Sequence, residues 1–568
     1  MEQRTSFYNN ATAHRSRPTN GGAVFCFLWL LLFVLYYPAA KAGFVTDFTG
    51  WLDQIRNHSF WDYINRTNFH AQSLYQFTQF NTYIFYKLFG VNPWLWHLLF
   101  ITLHTINTCL LLGLVAGLLE DVQAEGSRAI VFGGALLFTV SPYISEVIVW
   151  EPSFHFLQGL LLILLILRCT QKYIRSGHRK YAWRAGILYL LSLFSLEVFY
   201  ITPFLVLTLG VYYRFNPSFD KKILGRVMLY FFAPMLLLLA VRIVGYKLMA
   251  GDWVSRIGSV TVTVVNLESF GKPAKYLFHL LLLGRFFAAD TRHAVYAFCD
   301  SAIGIALFYG AVIIVFSVLA YRYRVMSGRA KVAGLLFAWV LIALMLLVPL
   351  WFGDMLLVLF DRYTYFAGAF FYTLVSILVS FISVQYIRMG IIAIYALVNL
   401  RFAIQVSRYW GKSYRVDEGL LHNVPDPGDK TVILLNLPES MHGIPMIGSG
   451  KESEFRFMHN LLLRDKRINN AVYDGLSYNM AAPTDGAHAT VMNDSMVRVT
   501  LNQWGTWWWY EGKGGYGYEN SDYKLHLNDP GHFYELTLKR PAQQYQLLYQ
   551  VGDHWNVVDW SKRGVDQN

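Results

Sequence analysis

The run Ala23-Val-Phe-Cys-Phe-Leu-Trp-Leu-Leu-Leu-Phe-Val-Leu-Tyr-Tyr-Pro-Ala-Ala40, followed at once by Lys41-Ala42-Gly43-Phe44-Val45-Thr46-Asp47, decides how the chain is read. The run is uncharged and close to the roughly 20 residues that cross a hydrocarbon core. Arg4, Arg15 and Arg17 precede it, so the positive-inside rule makes residues 1–22 a cytoplasmic tail and delivers Gly43 onward to the outer face. Ala40-Lys41-Ala42 also imitates a signal-peptide cleavage site, an alternative that leaves the outer placement of residue 43 unchanged.

Composition extends this reading to the rest of the chain. A hydrophobic fraction of 55% and an aromatic fraction of 17% belong to a polytopic membrane protein, not to a soluble fold of this length. The net charge of +12 does not point to nucleic acid, because Lys and Arg fall mostly in short loops between apolar runs, where they set topology. The four cysteines, Cys26, Cys109, Cys169 and Cys299, are scattered and form no CxxC pair, which argues against a disulfide framework and against a thiolate metal site.

Residues 43–93 form a first outer loop too long for a plain connection and too rich in Trp, Phe and Tyr for a disordered one, so one or two interfacial helices are expected there. Apolar segments follow at about 96–119, 129–149, 154–168, 185–200, 201–213, 227–249, 302–320, 332–352, 364–386 and 389–407, giving about eleven spans in all. Lys172, Arg175, Arg179, Lys180, Arg184, Lys221, Lys222, Arg226, Arg322, Arg324, Arg329 and Lys331 then all fall inside. Residues 276–288 are too short to span and read as interfacial or re-entrant. After this membrane domain, residues 23–410, a linker at 411–430 contains Pro425-Asp426-Pro427-Gly428-Asp429. Residues 431–568 read as an outer, β-rich α+β domain, with alternating runs such as Met496-Val-Arg-Val-Thr-Leu501.

Polar groups embedded in apolar segments are costly and therefore informative. Asp47 is either a solvated loop acid or a site residue. Glu146 and Glu197 lie near outer span ends and need a partner or a proton. Asp361-Arg362-Tyr363-Thr364-Tyr365 opens the tenth span. His97 and His104 are seven residues apart and share a helix face that Asn107 adjoins; hydrogen bonding between helices is the plainer reading, and no metal-ligand spacing accompanies them. Arg362 is also a good bidentate phosphate ligand. Trp507-Trp508-Trp509-Tyr510 reads as packing or membrane apposition, with sugar stacking as the alternative. There is no Walker loop, GxGxxG, HExxH or GxSxG motif.

These stretches together resemble the GT-C class of polytopic glycosyltransferases, in particular the protein O-mannosyltransferase-like branch that includes the transmembrane tetratricopeptide mannosyltransferases, here without the repeats. The first-loop acid resembles Phe44-Val45-Thr46-Asp47, and the Pro, His, His, Asn helix resembles Pro93 to Asn107. Pro142-Tyr-Ile-Ser-Glu146 is similar to a Pro-x-x-x-Glu element, Leu196-Glu197 to a Lys-Glu element, and Asp361-Arg362-Tyr363-Thr364-Tyr365 to an acid-Arg-Tyr-x-Tyr motif. The match covers about residues 20–407. It departs from the family at Phe48, where a second acid is common, at Leu196 and at Asp361. The Ile433-Leu-Leu-Asn436-Leu-Pro438 opening of the tail resembles bacterial members, which implies a bacterial inner-membrane enzyme.

The resemblance implies inverting transfer of a sugar from a polyprenyl-phosphate donor to a protein, lipid or glycan acceptor among membrane lipids. Asp47 is then the general base, with Asp361 a candidate second acid. Glu146, Glu197, His97, His104 and Asn107 position sugar or acceptor, and Arg362, Tyr363, Tyr365, Arg285 and Arg292 hold the lipid phosphate. No metal or other cofactor is expected, although a divalent ion is compatible with the sequence. The alternatives are a flippase for lipid-linked sugar, and a non-catalytic scaffold with a glycan-binding tail. The topology predicts that a cysteine introduced near residue 480 reacts with an impermeant maleimide added outside intact cells; protection until the membrane is permeabilised would reverse the orientation.

Overall fold

The computed structural model describes residues 21–45, 52, 54–64, 75–124, 126–195, 197–216, 219–251, 253, 266–350, 361–447, 454–463, 466–501, 506–508, 517–528, 533–564 and 566–567. Asp47 and most of Gly43–Trp51 lie outside them, as do Leu196 and the second half of the Trp507–Tyr510 run, Trp509 and Tyr510.

Among the described residues, seven helices have the length and hydropathy to cross a membrane, or eight if the bent pair Arg128–Thr139 and Pro142–Val149 is one span. The expectation of about eleven differs at three places. Residues 185–200, 201–213 and 364–386 are helical, but as Lys180–Ser192 (13 residues), Thr202–Arg214 (13 residues) and Tyr365–Val379 (15 residues). Each is shorter than a perpendicular span needs. In the first loop, where one or two helices are expected, Gln76–Phe89 forms one.

Six helices frame the candidate site and carry the tail: α1 (Gly21–Tyr36), α2 (Pro93–Glu120), α3 (Phe154–Ser176), α4 (Gly328–Met345), α5 (Tyr365–Val379) and α6 (Gln385–His422). Asn92 starts α2 by accepting a hydrogen bond from the Trp94 amide at 3.1 Å, and Pro93 occupies the first turn, where a missing N–H costs nothing. The chain between Thr139 and Phe154 cannot continue as helix. Pro142 and Pro152 break it into short turns, and these turns aim Glu146 and Glu151 inward instead of along a lipid-facing stripe.

The linker expected at 411–430 begins later. Helix α6 continues through Gly411 to His422, and only residues 423–430 connect it to the tail. The polar composition of 411–422 marks the helix leaving the apolar layer, not ending. At roughly 57 Å for 38 residues, α6 is nearly twice as long as a hydrocarbon core is thick. Its upper part is held by close contacts. A Cβ on Gly411 would lie 2.6 Å from the Pro38 carbonyl, and one on Gly419 would lie 2.6 Å from the Asp553 carbonyl. Trp555 Nε1 donates to the Leu420 carbonyl at 2.8 Å.

The tail is β-rich. A six-stranded antiparallel sheet includes Ala487–Val491, Met496–Leu501, Tyr523–Asn528 and Phe533–Leu538, whose residues alternate between the buried and the more exposed face. Beside it, Thr431–Leu434 pairs in parallel with Tyr545–Val551 and Val472–Asp474. A third sheet holds the hairpin Leu437–Met441 and Ile444–Pro445. Its turn, His442-Gly443, has both residues at positive φ. The His442 ring stacks on Tyr409 of α6 at 4.2 Å.

In that hairpin one Glu439 carboxylate oxygen is buried without a partner among the described residues, and burial pushes its pKa up to about 8. An acid whose folded pKa exceeds its unfolded value binds more protons when folded, so stability falls as pH rises from about 4.5 to about 8. Glu439→Gln is expected to flatten the pH dependence of thermal unfolding across that window; an unchanged slope would assign it to other groups.

Candidate functional site

The site is built where helices begin and end on one face of the bundle. Ala42 and Val45, the described residues leading to Asp47, are held from two sides. His97 Nε2, on α2, hydrogen-bonds the Ala42 carbonyl at 2.9 Å, and Trp150 Nε1 donates to the Val45 carbonyl at 3.2 Å. Gly43 lies between them with φ of 112°. A side chain there would collide with the Val149 carbonyl and with the Glu151 carboxylate, whose nearer oxygen would be 2.6 Å from its Cβ.

The Trp150 ring carries the next contact. The Arg362 guanidinium lies over it at 4.7 Å and over Tyr363 at 5.1 Å. Arg362 also binds Glu146 twice, through its backbone N–H at 3.0 Å and Nη1 at 3.2 Å, both to Oε2. Glu146 is fully buried, and its other oxygen has no partner among the described residues. The sequence candidates Glu146 and Arg362 are thus brought together, one indole away from the segment that leads to Asp47.

A second ion pair lies beside the first. Asp361 is fully buried and pairs with Arg285, itself only 5% exposed. Arg285 Nη2 also donates to the His442 carbonyl of the tail at 2.7 Å, and Arg292 Nη1 to the Arg285 carbonyl at 2.8 Å. Arg285 therefore ties the turn before α5 to the tail, and the tail docks on the face that carries Glu146 and Arg362.

The remaining candidates make two further sets of contacts. His104 Nδ1 and Asn107 Nδ2 converge on the Tyr365 hydroxyl at 2.9 Å and 3.3 Å, and Asn107 also donates to the Leu157 carbonyl at 2.9 Å. These bonds lock α2, α3 and α5 together, which is the plainer reading of that helix face. Glu197 accepts from the Tyr75 hydroxyl at 2.5 Å, and Tyr75 stacks on His155 at 6.3 Å. Tyr363 packs edge-on against Phe156 at 5.8 Å.

Glu151 was not singled out as a site residue by sequence reasoning. It is fully buried, and neither carboxylate oxygen has a hydrogen-bond partner among the described residues. Its place in Trp150-Glu151-Pro152, an acid between an interfacial ring and a helix breaker, was the available signal. Among the described residues, no group of three or more His, Cys, Asp or Glu side chains could hold a metal ion.

No family model and no curated protein matches the chain. Among solved structures, ArnT from Cupriavidus metallidurans bound to undecaprenyl phosphate is similar at 13% identity and a TM-score of 0.32, over 82% of this chain and 94% of that one. An overlap of that quality leaves function to be argued from the chain itself.

Removing one partner of a buried ion pair leaves an uncompensated charge and typically costs about 3–5 kcal/mol. Arg362→Ala is expected to lower thermal stability by that order, and Glu146→Ala plus Arg362→Ala by less than the sum of the single changes. Additive effects in a double-mutant cycle would show that the two side chains act independently.

Proposed function

We propose that the chain is a membrane glycosyltransferase of GT-C type that moves a sugar from a polyprenyl-phosphate donor to an acceptor at the outer membrane face. One observation carries the reading: Arg362, clamped by buried Glu146, stacks on the indole that hydrogen-bonds Val45, two residues before Asp47. This sets a cation suited to a phosphate beside the loop that bears the candidate base.

In this mechanism the acceptor hydroxyl or amine attacks the anomeric carbon in line. The bond from that carbon to the phosphate oxygen breaks, and the lipid phosphate leaves with the electron pair. Asp47 takes the acceptor proton, which requires hydrogen-bond reach to it. Charge grows on the departing phosphate, where Arg362 stabilises it; Glu146 fixes the guanidinium and its face. Tyr363, lying under the guanidinium, and Glu197, held by Tyr75, line the sugar side. Arg285 and Arg292 support this wall through Asp361 and backbone carbonyls. In this reading the tail, bonded to Arg285 through His442, meets the acceptor.

A flippase would favour polar groups near the bilayer midplane and repeated halves. Here the acids and arginines lie at helix breaks and termini, which favours chemistry at a surface. The test is transfer of radiolabelled sugar from a polyprenyl-phosphate donor by purified full-length protein. Asp47→Asn is expected to reduce turnover by at least about 100-fold with thermal stability retained. Arg362→Lys, which loses the planar two-point contact, is expected to reduce kcat/KM for donor by about 10- to 100-fold. Full transfer by Asp47→Asn would remove it as the base, and no transfer by wild type with any donor would favour the flippase or scaffold.

A further inference from the structure

The end of the bundle opposite this site contains a cavity of about 570 Å³, lined by residues 122–124, 327–329, 380–383 and 388. Three connections build it: the turn after α2, the start of α4, and the link from α5 to α6. Their approach is close. A Cβ on Gly328 would collide with the Val122 side chain, and the turn reverses at Gln123 with φ of 51°. Arg329 Nη1 reaches the Ser380 carbonyl at 3.4 Å, which ties the start of α4 to the end of α5. Helix α5 spans 15 residues, so roughly 22 Å of helix separates this cavity from the ion pairs at its other end.

The lining is cationic. Arg329 and Arg388 contribute two guanidinium groups, and among the described lining residues none is acidic. Ser327, Ser380 and Ser383 add hydroxyls, and the lining includes the first residues of α4. Two arginines in one concavity match the oxygens of a phosphate, which accepts paired N–H donors from each fork.

The rim shows which source of phosphate fits. Phe381, Val384, Ile387 and Met389 are exposed apolar side chains around the start of α6, and Tyr386 is 85% exposed. A free anion has no use for that surface. A membrane lipid does: its headgroup enters the arginine cavity while its chains lie along the apolar side of α6. Cationic pockets between membrane helices hold lipid headgroups by this division of labour.

We propose that this cavity binds the phosphate headgroup of an anionic phospholipid, a site separate from the one proposed for the donor. The lipid would brace the α2, α4 and α5–α6 connections against one another at the end of the bundle remote from the chemistry.

The test uses the full-length protein in nanodiscs of phosphatidylcholine alone or with phosphatidylglycerol, with native mass spectrometry of retained lipid and thermal unfolding as readouts. Wild type is expected to retain phosphatidylglycerol and unfold at higher temperature with it. The pair Arg329→Gln and Arg388→Gln should weaken retention by ~25-fold, from about 1 kcal/mol per cation near the surface. Lys221→Gln plus Lys222→Gln, the same charge change at residues outside the lining, should retain the lipid. Equal retention by the cavity variant, loss in the charge control, or equal retention of phosphatidylcholine would overturn the proposal. A matching thermal shift from inorganic phosphate in phosphatidylcholine discs would replace the lipid by a free anion.

Discussion

The architecture of the candidate site depends on the cost of burying Glu146. A carboxylate with no exposed surface is tolerated only when charge and hydrogen bonds return what water supplied. Arg362 does both, because its backbone N–H and its guanidinium converge on one oxygen. That double contact needs the chain around residue 362 to be outside regular α-helix, and Asp361–Thr364 is accordingly a short 3-10 turn leading into α5. It needs the same of the chain around Glu146, where Pro142 interrupts the preceding helix. The breaks are conditions for the pair, and the pair in turn fixes how the two breaks face each other.

The second pair extends the same logic to the tail. Asp361 neighbours Arg362 in sequence but answers to Arg285, which comes from a segment that does not span. Because Arg285 also binds the His442 carbonyl, the orientation of the Asp361–Thr364 turn is coupled to the docking of the tail hairpin. Helix α6 supplies the lever: it rises out of the apolar layer, seats Gly411 against Pro38 after α1, and carries the tail back over the bundle. Membrane domain and tail thus meet at the ion pairs as well as along a connector.

Much of this was legible in the sequence, and the failures have physical causes. Period-two alternation located Met496–Leu501 to the residue, since one face of that sheet is buried and the other is not. The Pro93-to-Asn107 element of the resemblance does lie on one helix, α2, which starts at Pro93. The extent of α6 was missed because a helix that leaves a membrane loses its hydropathy without losing its hydrogen bonds. Apolar runs in 185–213 and 364–386 fill helices shorter than a perpendicular crossing, which hydropathy alone does not reveal. The pairing of Glu146 with Arg362 joins residues 216 apart in sequence, and the tail contact of Arg285 joins residues 157 apart. No local pattern encodes such distances. Composition and motif order named the candidates; only packing showed which of them meet.

In the first loop Asp47 stands without an acidic neighbour. Phe48 occupies the position where relatives in the resembled family often carry a second acid, so a base at Asp47 would either work alone or borrow a partner from elsewhere. Glu146 is committed to Arg362, Asp361 to Arg285, and Glu197 to the Tyr75 hydroxyl. Glu151 remains: buried, with both oxygens unpartnered among the described residues, and pressed against the backbone of Gly43, four residues before Asp47. A carboxylate in that setting requires a proton or a donor that arrives with a ligand. The glycine at position 43 is what allows the wall of the site and the segment leading toward Asp47 to come that close.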